Sequence, residues 1–235
     1  MPPSNMEDSW PVGPAVDFGP ATRPEPTVLR GQFVTLAPLD PEAHAAPLYE
    51  ATHGSDAEHL WLYLFDGPFP NLAAFAAALE QKASSTDSVF HAILDNASGS
   101  AVGYASFMRI EPLHRCMEVG NVLFTPSLQR TPGAAEAMYL MARHAFEDLG
   151  YRRYEWKCNA LHWRSRRAAL RLGFTFEGVF RQHMIVKGCN RDTAWFSMLD
   201  SEWPARKANL ERWLASSNFD IEGNQRLSLS RLNAV

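Results

Sequence analysis

The residues that best announce chemistry in this chain of 235 lie at positions 129–135, Gln-Arg-Thr-Pro-Gly-Ala-Ala, between a strand-like run and a helix-like one. Apolar residues at Ala135, Met138, Tyr139, Ala142, Phe146 and Leu149 follow one stripe of an α-helix. Thr131 suits the cap of that helix, Pro132 its first position, and Gly150 the left-handed residue that ends it. Upstream, residues 118–124 read as a strand that stops at Thr125-Pro126, because proline cannot donate to a ladder. A strand running through a short loop into a helix start leaves backbone N–H groups aimed outward, where the helix dipole also favours an anion. Gly133, Ala134 and Ala135 let a ligand come close to the backbone, and Arg130 can add a charge-assisted bond to phosphate. The chemistry implied is the binding of a phosphate-bearing cofactor. An ordinary strand-to-helix connection with an exposed arginine has the same appearance in this segment alone.

The segment resembles motif A of the GNAT N-acetyltransferases, Arg/Gln-x-x-Gly-x-Gly/Ala, whose loop amides bind the pyrophosphate of acetyl-coenzyme A. Counted from Arg130 the match is Arg130-x-x-Gly133-x-Ala135; counted from Gln129, Pro132 replaces the first glycine and one N–H donor is lost. The resemblance continues through Gly-Tyr-Arg-Arg-Tyr-Glu-Trp-Lys-Cys at 150–158. It then takes in Ser-Arg-Arg-Ala-Ala-Leu-Arg-Leu-Gly-Phe-Thr-Phe-Glu-Gly at 165–178. These look like the second half of the same fold in its ribosomal-protein N-terminal acetyltransferase branch, where a strand leads to Asn-x-x-Ser, a short helix and Leu-Gly-Phe. Here His162 stands in the place of that asparagine and Ser165 is kept. The resemblance covers roughly residues 27–204.

The resemblance implies an α+β fold: a central, mostly antiparallel twisted sheet of about seven strands, flanked by helices, with two parallel central strands that splay apart. The pantetheine arm of acetyl-CoA would lie in that gap against the backbone of Val122, Leu123 and Phe124. Its pyrophosphate would sit on Gln129, Arg130, Thr131, Gly133, Ala134 and Ala135. The acceptor implied is a primary amine, either a protein N-terminus or a small amine. Such an amine attacks the thioester as the neutral base, so it must first lose a proton. Glu118, on the strand that borders the acceptor cleft in the family, is the candidate base; a strand-edge glutamate paired with an arginine is the alternative. Ser165 is either a donor to the leaving sulfur or a helix cap. His162 is the one histidine worth pursuing in the site. The altered residues Pro132 and His162 also motivate a competing reading, a catalytically silent module that binds an acyl-CoA as a sensor or scaffold.

The elements that must hold these residues follow from turn and cap signals. A strand is expected at 28–36, a helix capped near Asp40 running to about Thr52, and an alanine-rich helix opening at Asn71 and running to Lys82. Three strands at 88–94, 101–110 and 115–124 form an antiparallel meander joined by turns at 96–99 and 111–114. Beyond the motif helix come a strand at 153–157, a helix at about 163–172, strands at 175–187 and 192–200, and an amphipathic helix at 204–214. Trp61, Tyr63 and Phe65 are the expected substrate-facing wall. Arg164, Arg166, Arg167 and Arg171 form a basic cluster whose commonest role is a solvated helix face. Residues 1–26 hold seven of the 16 prolines and read as an extended arm, in which Trp10 and Phe18 are candidate anchors. The domain expected is 27–204, followed by a C-terminal helix and tail at 205–235.

Composition sets the outer limits. With 46% hydrophobic residues, the chain can bury one substantial core. The 22 basic against 26 acidic side chains give −4, which argues against nucleic acid as partner. No run of about 18 apolar residues is present to span a bilayer, and the first residues lack the pattern of a secretory leader, so a cytoplasmic protein is expected. Cys116, Cys158 and Cys189 are isolated and suggest neither a disulfide framework nor a zinc site, and no metal is expected. Trp203 and Trp213 near the C-terminus would favour a homodimer if exposed, or would pack on the core.

Overall fold

The computed structural model describes residues 12–16, 19–54 and 57–234; Trp10 and Phe18 lie outside them. The architecture is a mixed α+β sheet with helices on both faces. In chain order the elements are β1 (Leu29–Arg30), β2 (Val34–Pro38), α1 (Pro41–Thr52), α2 (Leu72–Ala83), β3 (Val89–Asp95), β4 (Ala101–Glu111) and β5 (Cys116–Phe124). Then follow α3 (Pro132–Arg143), β6 (Arg153–Asn159), α4 (Trp163–Leu172), β7 (Thr175–Val186), β8 (Cys189–Leu199), α5 (Trp203–Leu214) and α6 (Leu229–Leu232). The strands order as β1-β2-β3-β4-β5-β6-β8-β7. Every neighbouring pair is antiparallel except β5 and β6, which run parallel through the crossover helix α3.

Local chemistry explains the boundaries. Asp40 caps α1 by accepting from Glu42 N at 3.0 Å, and Asn71 caps α2 by accepting from Ala74 N at 2.9 Å. Thr131 caps α3 through a 3.3 Å bond from Ala134 N, with Pro132 at the first helical position. The α3 stretch widens into a π turn at His144–Asp148, and Gly150 reverses the chain with φ 76°. The turn between β7 and β8 is two residues long; Lys187 and Gly188 both have positive φ, as a tight hairpin requires.

The sheet has eight strands where about seven are expected, because the run at 28–36 is a hairpin and not one strand. The cause lies about 100 residues away. The buried carboxylate of Glu136, on α3, accepts from the backbone N–H groups of Gln32 at 2.7 Å, Phe33 at 2.6 Å and Val34 at 2.9 Å. A Cβ on Gly31 would stand 2.5 Å from that carboxyl, so only glycine lets the turn close over it.

Two cores sandwich the sheet. On one face α3, α4 and α5 cover Met117, Val119, Tyr154, Trp156 and Phe196. On the other, α1 and α2 cover Phe90, Tyr104 and Leu123. Trp203 and Trp213 belong to the first core and are buried, so they offer no surface to a second copy. Beyond α5 the chain folds back through Asn218, whose side chain donates to Trp213 O at 3.0 Å and accepts from Leu227 N at 2.8 Å. This seats Leu229 in the core, so the segment after 204 completes the domain's packing. At the other end, Ala21 N donates to Pro112 O and Thr22 N to Leu149 O, fastening the arm upstream of residue 27. No described helix is long and apolar enough to cross a membrane, and no described cluster of His, Cys, Asp and Glu could hold a metal ion.

Candidate active site

The site begins where the parallel pair comes apart. β5 and β6 are in register from Cys116↔Arg153 to Val119↔Trp156 and not beyond. On its other side, β5 slips past β4 between Leu123 and Gly120, so Asn121 and Val122 enter neither ladder. Asn121 takes φ 51°, a left-handed bulge geometry that is uncommon outside glycine. Its side chain is pinned by a 3.0 Å bond from Nδ2 to Ser106 Oγ. The result is a strip of unpaired strand backbone inside the sheet, an edge able to pair with an extended amide-bearing chain.

Beside this strip lies a cavity of about 80 Å³ that is lined by Glu118, Asn121, Val122, Lys157, Ser165 and Arg191, with Tyr63 and Phe65 as a wall. Trp61, expected in the same wall, is 0% exposed and is core instead; its indole donates to Thr52 O at 2.7 Å.

Glu118 is 4% exposed and meets two cations, Lys157 Nζ at 3.0 Å and Arg109 Nη1 at 3.3 Å. Burial pushes its pKa above the usual carboxylate range, and Lys157 and Arg109 oppose the shift without cancelling it. Lys157 is itself buried, bonded also to Glu155 at 2.6 Å and seated 3.8 Å from the centre of the Trp195 ring. Glu155 in turn meets Arg153 at 2.6 Å, and Arg153 forks onto Glu177. The strands explain this charged row. Along β6, Glu155, Lys157 and Asn159 alternate with Tyr154, Trp156 and Cys158, and the latter set belongs to the core.

Ser165 lies in the first turn of α4 and does not cap it. Its Oγ accepts from Trp156 Nε1 at 3.0 Å, and its hydroxyl also hydrogen-bonds the Cys158 sulfur at the edge of the cavity. Cys158 lies against this hydroxyl, its thiol pushed up by burial and so held protonated. His162 occupies the cap position without a capping bond and stacks on Tyr63, ring centres 4.2 Å apart. Burial, with Arg164 and Arg191 nearby, lowers its pKa to about 4, so its imidazole is neutral at physiological pH.

The phosphate corner is built as its sequence suggests, with one change of role. Arg130 is exposed in a left-handed conformation with φ 64°. Helix geometry leaves the Gly133 N–H without an intrahelical acceptor, while Thr131 Oγ1 takes that of Ala134. A Cβ on Gly133, however, would press on Val34 at 2.9 Å, so this glycine is small for the sake of α3 packing on β2. Ala135 is likewise core, and Gln129 spends its amide on Phe124 O at 3.0 Å, bracing loop to strand. The arginines of α4 are mostly laid on aromatic rings: Arg164 and Arg167 on Trp163, Arg166 on Phe176, and Arg171 on Trp213.

Three members of the site, Arg109, Lys157 and Arg191, escape a reading of the sequence. For Lys157 a signal exists: Tyr-Glu-Trp-Lys-Cys alternates charge with aromatic or sulfur side chains, so one face of that strand must carry its charges indoors. For Arg109 and Arg191 none does, since each is brought to the site by the pairing of its strand and not by a local pattern.

A profile of the acetyltransferase (GNAT) domain matches residues 34–175. Among curated proteins the chain is similar to the ribosomal-protein-serine acetyltransferase of Escherichia coli (strain K12), 30% identical over 102 residues. That match spans 43% of this chain and 56% of the relative, just over half the relative's length. Among solved structures, a GCN5-related N-acetyltransferase from Brucella melitensis superposes with a TM-score of 0.90 at 44% identity, covering 92% of this chain and 98% of that one. A probable acetyltransferase (GNAT family) from Chromobacterium violaceum ATCC 12472 superposes with a TM-score of 0.75 at 38% identity, covering 84% of this chain and 100% of that one.

Proposed function

The chain belongs to the GNAT acetyltransferase family, and we propose that it transfers the acetyl group of acetyl-CoA to a primary amine by direct attack of the amine on the thioester. One observation carries this reading: the unpaired backbone at Asn121 and Val122 shares a single cavity with a buried carboxylate, Glu118, and the hydroxyl of Ser165. Acetyl-CoA supplies the activated acetyl group and its thiol leaving group. The backbone from Val122 to Phe124 holds the pantetheine arm, and its N–H groups stabilise the carbonyl oxygen as negative charge grows on it. Arg130 and the first-turn N–H of Gly133 receive the pyrophosphate, on a corner braced by Gln129, Thr131, Ala134 and Ala135.

Glu118 takes the proton from the acceptor. Its raised pKa brings it closer to the working pH, which is what a general base needs. Lys157, in the same cavity, and Arg109, paired with Glu118, assist, because neighbouring cations disfavour an ammonium and favour the neutral, nucleophilic amine. Ser165 donates to the departing sulfur. His162, neutral and stacked, shapes the wall through Tyr63 and moves no proton near pH 7.

The acceptor class we assign is the α-amine of a cytoplasmic protein N-terminus, supported by similarity to a ribosomal-protein-serine acetyltransferase. Such an amine has a pKa near about 8, against about 10.4 for lysine, so it is the easier group to deprotonate here. The silent-module reading loses its motives. Pro132 occupies the position where proline suits a helix, and His162 has its own packing role.

Calorimetric titration with acetyl-CoA, dephospho-CoA and desulfo-CoA tests the cofactor, and an acceptor panel of free N-terminal peptides, small amines and polyamines tests the transfer. Micromolar binding of acetyl-CoA with thiol release on adding peptides is expected. Tight binding without turnover on any acceptor would reinstate the silent module.

A further inference from the structure

Arg191 is a buried cation to which the described structure gives no counter-ion. It is 6% exposed, its Nε has no hydrogen-bond partner, and it lines the cavity that holds Glu118 and Ser165. The neighbouring cations are accounted for: Arg109 and Lys157 share Glu118, and Lys157 and Arg153 share Glu155. Among the described residues no carboxylate lies within ion-pair distance of Arg191. What it has is the ring of Phe65, 4.9 Å from Cζ to the ring centre, and the attraction of Glu118 across the cavity, beyond ion-pair distance. Stacking of this kind returns less than it costs to bury an ion without a bonded partner. Burial accordingly lowers its pKa, although a guanidinium stays charged.

The fold enforces this position. The β7–β8 turn is tied to the loop that carries Phe65, since Lys187 Nζ donates to Trp61 O at 2.7 Å and to Gly67 O at 2.6 Å. Arg191 sits opposite Met184 just inside that turn, held between sheet and loop. A planar fork with five donors, desolvated and aimed into a reaction cavity, matches one ligand chemistry best: a carboxylate.

We propose that Arg191 is the receptor for a carboxylate carried by one of the two reactants, so that this enzyme prefers either an acceptor with a carboxylate near its amine or an acyl group ending in one. The proposal rests on the acyl-transfer reading for its location and on binding for its test. The acyl arm compares succinyl-CoA with butyryl-CoA by calorimetry. The acceptor arm uses CoA-saturated protein and compares glycine and glutamate with glycinamide and glutamine. In one arm the carboxylate-bearing member binds at least about tenfold more tightly, and Arg191→Gln removes that preference while the Kd for CoA stays unchanged. Arg191→Lys keeps a fraction of it. Arg191→Met raises the Tm, because an uncompensated buried charge has gone; a structural arginine would lower it.

Equal binding of both members in both arms would overturn the proposal, as would a preference that survives Arg191→Gln. Failure of acetyl transfer with carboxylate binding intact would instead count against the transferase reading alone.

Discussion

Two buried glutamates sit some 18 positions apart in this chain and do opposite things. Glu136 is 5% exposed and accepts three backbone N–H groups at the turn 32–34. Glu118 is 4% exposed and faces two side-chain cations at the edge of a cavity. Backbone donors are fixed in place, so they hold a carboxylate immobile, as a structural clamp requires. Side-chain cations can shift, and Glu118 sits where burial raises its pKa, so its proton affinity is available for chemistry. The partners of a buried carboxylate, more than its burial, separate scaffold from reagent.

The contrast breaks first, and with the largest effect, at the scaffold. Glu136→Ala takes the acceptor from three backbone donors, one buried and two part-buried, at up to about 1–3 kcal/mol each, so a loss of about 2–4 kcal/mol and a Tm lower by about 5–10 °C are expected in thermal unfolding. Gly31→Ala pushes a methyl into the same carboxyl and should lose about 1–3 kcal/mol by the same measurement. In both variants the KM for acetyl-CoA in the surviving folded fraction changes little.

On the chemical side, Ser165→Ala removes the proposed donor to the leaving sulfur and strands the Trp156 indole; kcat is expected to fall about tenfold with the KM for acetyl-CoA unchanged. Smallest is a pH effect. His91 and His162 have folded pKa values near 4, below the unfolded value of 6.5. The unfolded chain therefore binds more protons, and the stability these histidines contribute above pH 6.5 is lost as pH falls toward 4. Chemical denaturation at pH 7 and pH 5 should show a lower midpoint at pH 5, and less of a drop in His162→Phe.

What the sequence makes legible follows the range of the interactions. The caps at Asp40, Asn71 and Thr131, the turns and the alternating strands are local, and they place α1 to α5 as well as the βα corner, while α6 in the expected tail escapes. Those elements bring Ser165 and Glu118 to one cavity. The hairpin at 29–38 escapes because its turn is held by Glu136, on the far side of the crossover. Trp61 misleads because alternation with Tyr63 and Phe65 suggests one exposed wall, whereas a short helical turn rotates it into the core. Arg191 escapes because its lack of a counter-ion is a property of the packed site and of no neighbour in the chain.

The most direct test is the rate of thiol release from acetyl-CoA with a free N-terminal peptide, for the wild type and Glu118→Gln, from pH 6 to pH 9. With Glu118 as the base, the wild type loses kcat/KM on the acid side of this range, and the variant is slower by about 10²-fold at an unchanged KM for acetyl-CoA. Equal rates and superimposable pH profiles would place Glu118 with Glu136 among the scaffold and remove the base from the account.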